Sequence, residues 1–190
     1  STDNSTSHKQ FTIAVLDVDD FDPVFGADDY PATVAENIDE AMVIATVSAT
    51  EGDLTGEVSY AITAGNDGGL FAIDAGTGEV RLAAGQSLNA EAATSHQLTV
   101  TASEDDGAGT DTATVSITVT DVDEFNPVFG AGDYPATVAE DIADTVVIAT
   151  VSATEDDVMG TVSYAITGGN DAGLFEIHAT TGEVTLAAGQ

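Results

Sequence analysis

Apolar and polar residues alternate along this chain in short runs, and glycine, asparagine and aspartate punctuate the runs at close intervals. Seven runs rich in Val, Ile and Thr predict strands at 32–34, 42–47, 58–63, 71–73, 80–82, 97–102 and 113–120. Turn signals stand between them, among them Gly65-Asn66-Asp67-Gly68 and Ala75-Gly76-Thr77-Gly78. No window carries the period of an amphipathic helix, and Gly, Asp or Thr breaks each β-branched stretch too soon for a helix to propagate. Seven strands in about 100 residues predict an all-β fold, a sandwich of two antiparallel sheets.

The pattern occurs twice. A displacement of 104 positions superimposes residues 17–86 on 121–190 with 52 identities in 70 pairs, so the chain is a tandem array. The expected divisions are 1–21, a last strand of a preceding repeat plus linker; 22–124, a complete repeat with its linker; and 125–190, a truncated second repeat. Residues 10–16 (QFTIAVL) fall in the register of 114–120 (TVSITVT), which is why the first segment reads as a last strand. The second copy has no counterpart of 87–120, so sheet edges are left seeking partners, and further repeats are expected on either side.

Charge narrows the functions open to such an array. Thirty-four acidic residues against Lys9 and Arg81 give a net charge of −32 at pH 7. A surface so anionic repels phosphate backbones and acidic lipid headgroups, which excludes nucleic acid as a direct partner. No run approaches the roughly 18 apolar residues of a membrane span, so direct membrane insertion is not expected, and the polar residues 1–10 do not form a signal peptide. The chain has no cysteine, which removes disulfides, thiolate metal sites and thiol nucleophiles. Hydrophobic residues amount to 43 % and the mean hydropathy is +0.10, enough to bury a core.

The acids gather at the joints between repeats: Asp17, Asp19, Asp20 and Asp22 before the first, Asp121, Asp123 and Glu124 before the second. Each segment (DVDDFDPVF, DVDEFNPVF) ends in Pro-Val-Phe, where the proline favours an extended backbone and the aromatic can anchor the next domain. In an extended segment Asp121 and Asp123 project to the same side, and two carboxylates so placed repel unless a cation lies among them. Calcium, which takes six to eight oxygen ligands, is the economical answer.

These motifs resemble those of the cadherin repeat over nearly all of each unit and in the same order. DVDEFNPVF is similar to the family's linker motif DxNDNxPxF, and VAEN at 34–37 to the strand carrying its basal Glu. ATEGD and ATEDD resemble ATDxD, GNDGGLFAIDAGTGEV at 65–80 resembles GNxxxxFxIDxxTGxI, LNAE at 88–91 resembles LDRE, and 99–104 resemble the TVxAxD strand. The resemblance implies tandem seven-stranded Greek-key β-sandwiches, the second truncated, with three calcium ions at each joint. For the joint contained whole, it implies ligands from Glu36, Asn89 and Glu91 of one repeat, Asp121, Asp123 and Glu124 of the linker, and Glu155 and Asp157 of the next repeat. The main-chain carbonyls of Val122 and Phe125 would complete the set. Seven of those eight side chains are acidic, nearly balanced by the six positive charges of three ions. At the preceding joint the implied residues are Asp17, Asp19, Asp20, Glu51, Asp53 and Glu104, with Asp105 or Asp106 as alternatives to the last, and Glu140 repeats Glu36. The chain departs from the pattern at Asn89, which stands for Asp, at Phe125, which stands for Asn, and at Glu51 and Glu155, which stand for Asp.

Plainer readings compete with this one. An acidic run can be a solvated face, and the glycine-rich GNDGG and GNDAG stretches are expected to be turns. His8, His96 and His178 are isolated in sequence, and Tyr30, Tyr60, Tyr134 and Tyr164 sit in or beside strand-like segments, where packing is expected of them. No Ser-His-Asp arrangement is evident and acids at hinges offer no sugar cleft, so the chain is expected not to be an enzyme. The expected function is that of calcium-binding repeats stiffening an extracellular bacterial adhesin at the cell surface. Its partners would be calcium ions, neighbouring repeats and a homophilic partner or surface polysaccharide. The alternative is a calcium-dependent carbohydrate-binding module of a secreted polysaccharide-degrading system, against which the lack of Trp weighs.

Overall fold

The computed structural model describes residues 6–16, 20–52, 57–104 and 109–190, and among these every regular element is a strand. The first repeat contains β1 (Val24–Phe25), β2 (Asp29–Ala35), β3 (Ala45–Thr46), β4 (Ala49–Thr50), β5 (Ser59–Ala64), β6 (Phe71–Ile73), β7 (Glu79–Leu82), β8 (Ser95–Ser103) and β9 (Thr110–Thr120). The second contains β10 (Val128–Phe129), β11 (Ala149–Thr150), β12 (Ala153–Thr154), β13 (Phe175–Ile177) and β14 (Glu183–Leu186). The chain divides into two compact units. One comprises Ser1–Ala32, Asp39–Gln86 and His96–Ile117; the other comprises Thr33–Ile38, Ser87–Ser95 and Thr118–Gln190.

In the first repeat the long strands form a sheet in the order β2-β9-β8-β5, and the short ones form β3-β7-β6, with β1 paired to β4. Neighbours that are not consecutive in sequence give the Greek-key crossover of a sandwich. Strict alternation drives the assembly: Ala113, Val115 and Ile117 of β9 point inward, as do Leu98, Val100 and Ala102 of β8, against Phe71, Val80 and Leu82. Val80, Leu98, Val100 and Val115 are wholly enclosed. The expected strand at 42–47 narrows to the two residues of β3, although Ile44 N still bonds the Val80 carbonyl (2.8 Å) and Val47 N the Gly78 carbonyl (3.0 Å). Gly78, at φ 69°, presses so close to the Val47 carbonyl that a side chain there would collide with it.

The tyrosines serve packing. Tyr60 accepts the Ala49 amide (2.9 Å), Tyr30 donates to the Ser48 carbonyl (2.9 Å), and both rings pack on Phe25 at 6.1 Å. His96 packs edge-on to Phe71 at 5.2 Å, and burial lowers its pKa. Residues 6–16 are exposed and take part in no strand pairing.

In the second unit β10 pairs with β12, and β11-β14-β13 repeat the register of β3-β7-β6. Its apolar positions are less covered: Phe129 is 59 % exposed against 8 % for Phe25, and Phe175 38 % against 4 % for Phe71. The heptapeptide DYPATVA is β2 at 29–35 but forms no strand at 133–139. The physical reason is that β9, on which β2 pairs, has no second copy in this chain, and a strand needs a partner.

Two equal residues in unequal surroundings provide a test. Phe71→Ala should cost about 3–5 kcal/mol in urea unfolding, as for a buried aromatic, whereas Phe175→Ala should cost less than half as much. Equal losses would show that the second core is as closed as the first.

Candidate metal centre

The last rung between β2 and β9 is the bond from Glu36 N to the Thr120 carbonyl (3.0 Å). Here Glu36, 5 % exposed, lies inside the fold, its carboxylate fixed by two amides: Ala90 N donates to Oε2 (2.7 Å) and Val122 N to Oε1 (2.8 Å). Glu91 belongs to the turn 88–93, which Leu88 and Ala90 anchor by burying their side chains. Asn89 caps that turn, its Oδ1 accepting Ala92 N (2.5 Å) and its carbonyl accepting Ala93 N (3.1 Å). With its neighbours pinned, Glu91 is held where both its carboxylate oxygens are buried and neither has a hydrogen-bond partner.

β9 ends at Thr120, and the linker acids follow at once. Asp121 accepts Met159 N on Oδ2 (2.8 Å), while its Oδ1 is buried without a partner. Asp157, 9 % exposed, accepts Glu124 N on Oδ1 (3.2 Å) and Phe125 N on Oδ2 (3.3 Å), and its own amide donates to Glu155 Oε1 (2.9 Å). Two triads result. Carboxylate oxygens of Glu36, Glu91 and Glu124 lie within 4.8 Å of one another, and so do those of Glu91, Asp121 and Asp157. Glu91 is common to both, and all five residues belong to the second compact unit.

No basic side chain answers this charge: of the two in the chain, Arg81 pairs with Glu79 (2.7 Å) and Lys9 is exposed in the segment 6–16. Desolvation raises the pKa of Glu124 above the usual carboxylate range, and the carboxylates of Glu36, Glu91, Asp157 and Asp121 raise it further. The side-chain bond between Glu155 and Asp157 raises Glu155, with desolvation adding to the rise. Desolvation pushes Asp157 the same way, but the bond to Glu155 and the amides of Glu124 and Phe125 outweigh it and hold Asp157 low. The donor set is oxygen throughout, with no imidazole or thiolate in either triad, which suits a hard divalent cation such as calcium. Two such ions would cancel four of the five negative charges and fill the open positions on Glu91 and Asp121.

Five of the expected ligands thus come together: Glu36, Glu91, Asp121, Glu124 and Asp157. Asn89 is engaged as a turn cap, and Val122 and Phe125 act here through their amides, toward Glu36 and Asp157. Asp123 and Glu155 belong to neither triad; with Asp121, Phe125 and Asp157 they line a cavity of about 300 Å³. Glu140 is exposed. In the first unit Glu104, 8 % exposed, accepts Gly109 N (2.9 Å), and the bare Gly109 makes room for the Asp22 and Glu104 carboxylates; Glu51 is half-buried and Asp20 exposed. Asp17, Asp19 and Asp53, with the alternatives Asp105 and Asp106, lie outside the described residues. Met159 was missed in the sequence because its contribution is a backbone amide, for which residue type carries no signal.

Residues 30–120 match the cadherin domain family. The chain is 36 % identical over 183 residues, 93 % of its length, to the protocadherin-like wing polarity protein stan of Drosophila melanogaster, and 35 % identical over 188 residues, 95 % of its length, to human Cadherin-23. It spans only 5 % and 6 % of those relatives' own lengths. Among solved structures, mouse Cadherin-23 EC22-24 superposes with a TM-score of 0.77 at 26 % identity, covering 90 % of this chain and 55 % of that one. The protocadherin GammaB4 extracellular domain gives 0.78 at 27 % identity, covering 90 % of this chain and 30 % of its own.

The crowding of Glu124 has a signed consequence. A carboxyl whose pKa is raised by folding destabilises the fold above that pKa, and the penalty disappears as pH falls through it. In a chelator at neutral pH, Glu124→Gln should therefore raise the melting temperature, and the gain should shrink to nothing on acidification. A loss of stability at neutral pH would contradict the repulsion.

Proposed function

This chain belongs to the cadherin family, and we propose that its repeats are stiffened by calcium ions held at the joint by Glu36, Glu91, Asp121, Glu124 and Asp157, within an extracellular adhesin. The observation that carries the reading is the pair of carboxylate triads sharing Glu91, whose buried oxygens have no hydrogen-bond partner. Native proteins rarely leave buried charged oxygens unanswered, because each costs its full desolvation. When bound, calcium supplies positive charge and a demand for six to eight oxygens. The chain's part is preorganisation. β2 delivers Glu36, the capped turn delivers Glu91, the linker delivers Asp121 and Glu124, and the loop after β12 delivers Asp157. Repulsion among these groups loosens the joint without cations, so rigidity becomes conditional on extracellular calcium at about 10⁻⁴–10⁻³ M.

The repeat boundaries that suit this role are 22–124 for a complete repeat with its linker and 125–190 for the following one, after a segment and linker at 1–21 that form no strand among the described residues. Adhesive rather than enzymatic work is supported by the family, and a place outside the cell by the described extracellular domains among the similar structures. The net charge of −32 and the absence of cysteine support a long bacterial surface chain, in which homophilic pairing is the partner reading that the family favours.

Melting with and without calcium tests the proposal. The parent should gain many degrees from millimolar calcium, and Glu91→Ala, which removes the residue common to both triads, should lose most of that gain. If the parent gains nothing, or the variant gains equally, the acids are only a solvated cluster.

A further inference from the structure

Residues 10–16 fall in the register of 114–120, the second half of β9, and carry apolar side chains where β9 turns inward: Phe11 for Val115, Ile13 for Ile117 and Val15 for Val119. In β9 these positions are buried, whereas Phe11, Ile13 and Val15 are 79 %, 83 % and 89 % exposed and lie in no strand. The second repeat lacks what this segment offers. Its heptapeptide at 133–139 has no β9 to pair with, and Val138 is exposed where its counterpart Val34 is buried. Phe129, Val151, Tyr164, Ile166, Ile177 and Val184 line an apolar cavity of about 500 Å³ behind it. We infer that residues 10–16 of one copy of this chain dock beside residues 133–139 of a second copy, in the place that β9 holds beside β2, and so link copies head to tail.

The pairing in the first repeat shows what the docked segment would make. Thr114 N donates to the Asp28 carbonyl (2.9 Å) and Glu36 N to the Thr120 carbonyl (3.0 Å), one bond at each end. DYPATVA is identical at 29–35 and 133–139, so the same bonds are open between copies, from Gln10 N to the Gly132 carbonyl and from Glu140 N to the Leu16 carbonyl. Main-chain bonds of this kind let an extended segment extend a sheet edge. Alternation fixes the register, since a slip of one residue would turn Phe11, Ile13 and Val15 back to water.

Charge favours this segment as the occupant. Residues 6–16 contain Lys9 and no acid, in a chain of net charge −32, so they approach an acidic copy without the repulsion that other stretches meet. Donor and acceptor are different surfaces, so the contact does not close on itself and each added copy leaves a free donor and a free acceptor. The place of β8 stays empty beside the docked segment, so the cavity is covered in part and the association is weak and concentration-dependent.

Sedimentation and hydrogen exchange of the full chain at rising concentration test this, in chelator so that the calcium reading is not involved, and in about 0.15 M salt to screen surface charge. The weight-average mass should rise past that of a dimer, and amide exchange at 133–140 should slow about tenfold in step with it. The double variant Ile13→Asp, Val15→Asp changes only exposed side chains outside the strands, so it should melt like the parent yet stay monomeric with fast exchange at 133–140. A synthetic peptide of residues 8–16, added to that variant, should restore the slow exchange. The inference is overturned if the parent stays monomeric and the peptide protects nothing, or if the double variant associates as the parent does. Slow exchange at 133–140 in a monomer at every dilution would overturn it too, by showing that the edge is covered within one chain.

Discussion

A carboxylate withdrawn from water with no hydrogen bond to either oxygen is an unfavourable thing to build, and Glu91 is such a group, set among four other carboxylates. The joint depends on what answers it. Burial alone raises the free energy of a charged oxygen by several kcal/mol, and like charges nearby raise it further. The surrounding architecture nevertheless holds Glu91 in place: Leu88 and Ala90 are buried on either side of Asn89, Asn89 caps the turn, and Glu36 reaches across to clamp the Ala90 amide. An arrangement that spends packing on keeping acids together makes sense when a cation completes it.

The rest of the repeat serves that placement. The sandwich core, with Val80, Leu98, Val100 and Val115 enclosed, fixes the ends of β2 and β9 to within a hydrogen bond of one another, and Glu36 and Asp121 are the residues that follow those ends. Amides then finish the positioning. Met159 N takes one oxygen of Asp121 and leaves the other bare, while Glu124 N and Phe125 N satisfy Asp157. The backbone therefore positions the carboxylates and leaves open oxygens on Glu91 and Asp121 within the two triads.

The long strands were legible in the sequence because alternation and β-branching agree with burial: 97–102 and 113–120 lie inside β8 and β9, and 58–63 overlaps β5. The two-residue bridges β1 and β4 were not, since pairs of residues have no period to read. Nor could sequence distinguish DYPATVA at 29–35 from the same heptapeptide at 133–139, because only the availability of β9 makes the first a strand. At the joint, the motif resemblance located the acids that cluster, Glu36, Glu91, Asp121, Glu124 and Asp157. It gave no hint that Asn89 would be consumed as a cap or that Glu155 would fold onto Gly160, since both outcomes are set by local geometry and not by residue type.

The most direct measurement is a crystal structure of the chain grown in calcium or a lanthanide, with ion positions read from anomalous scattering. The account predicts peaks at this joint among Glu36, Glu91 and Glu124 and among Glu91, Asp121 and Asp157. Its contradiction would be a joint with no peak, and with the Glu91 oxygens turned to water or to a protein donor.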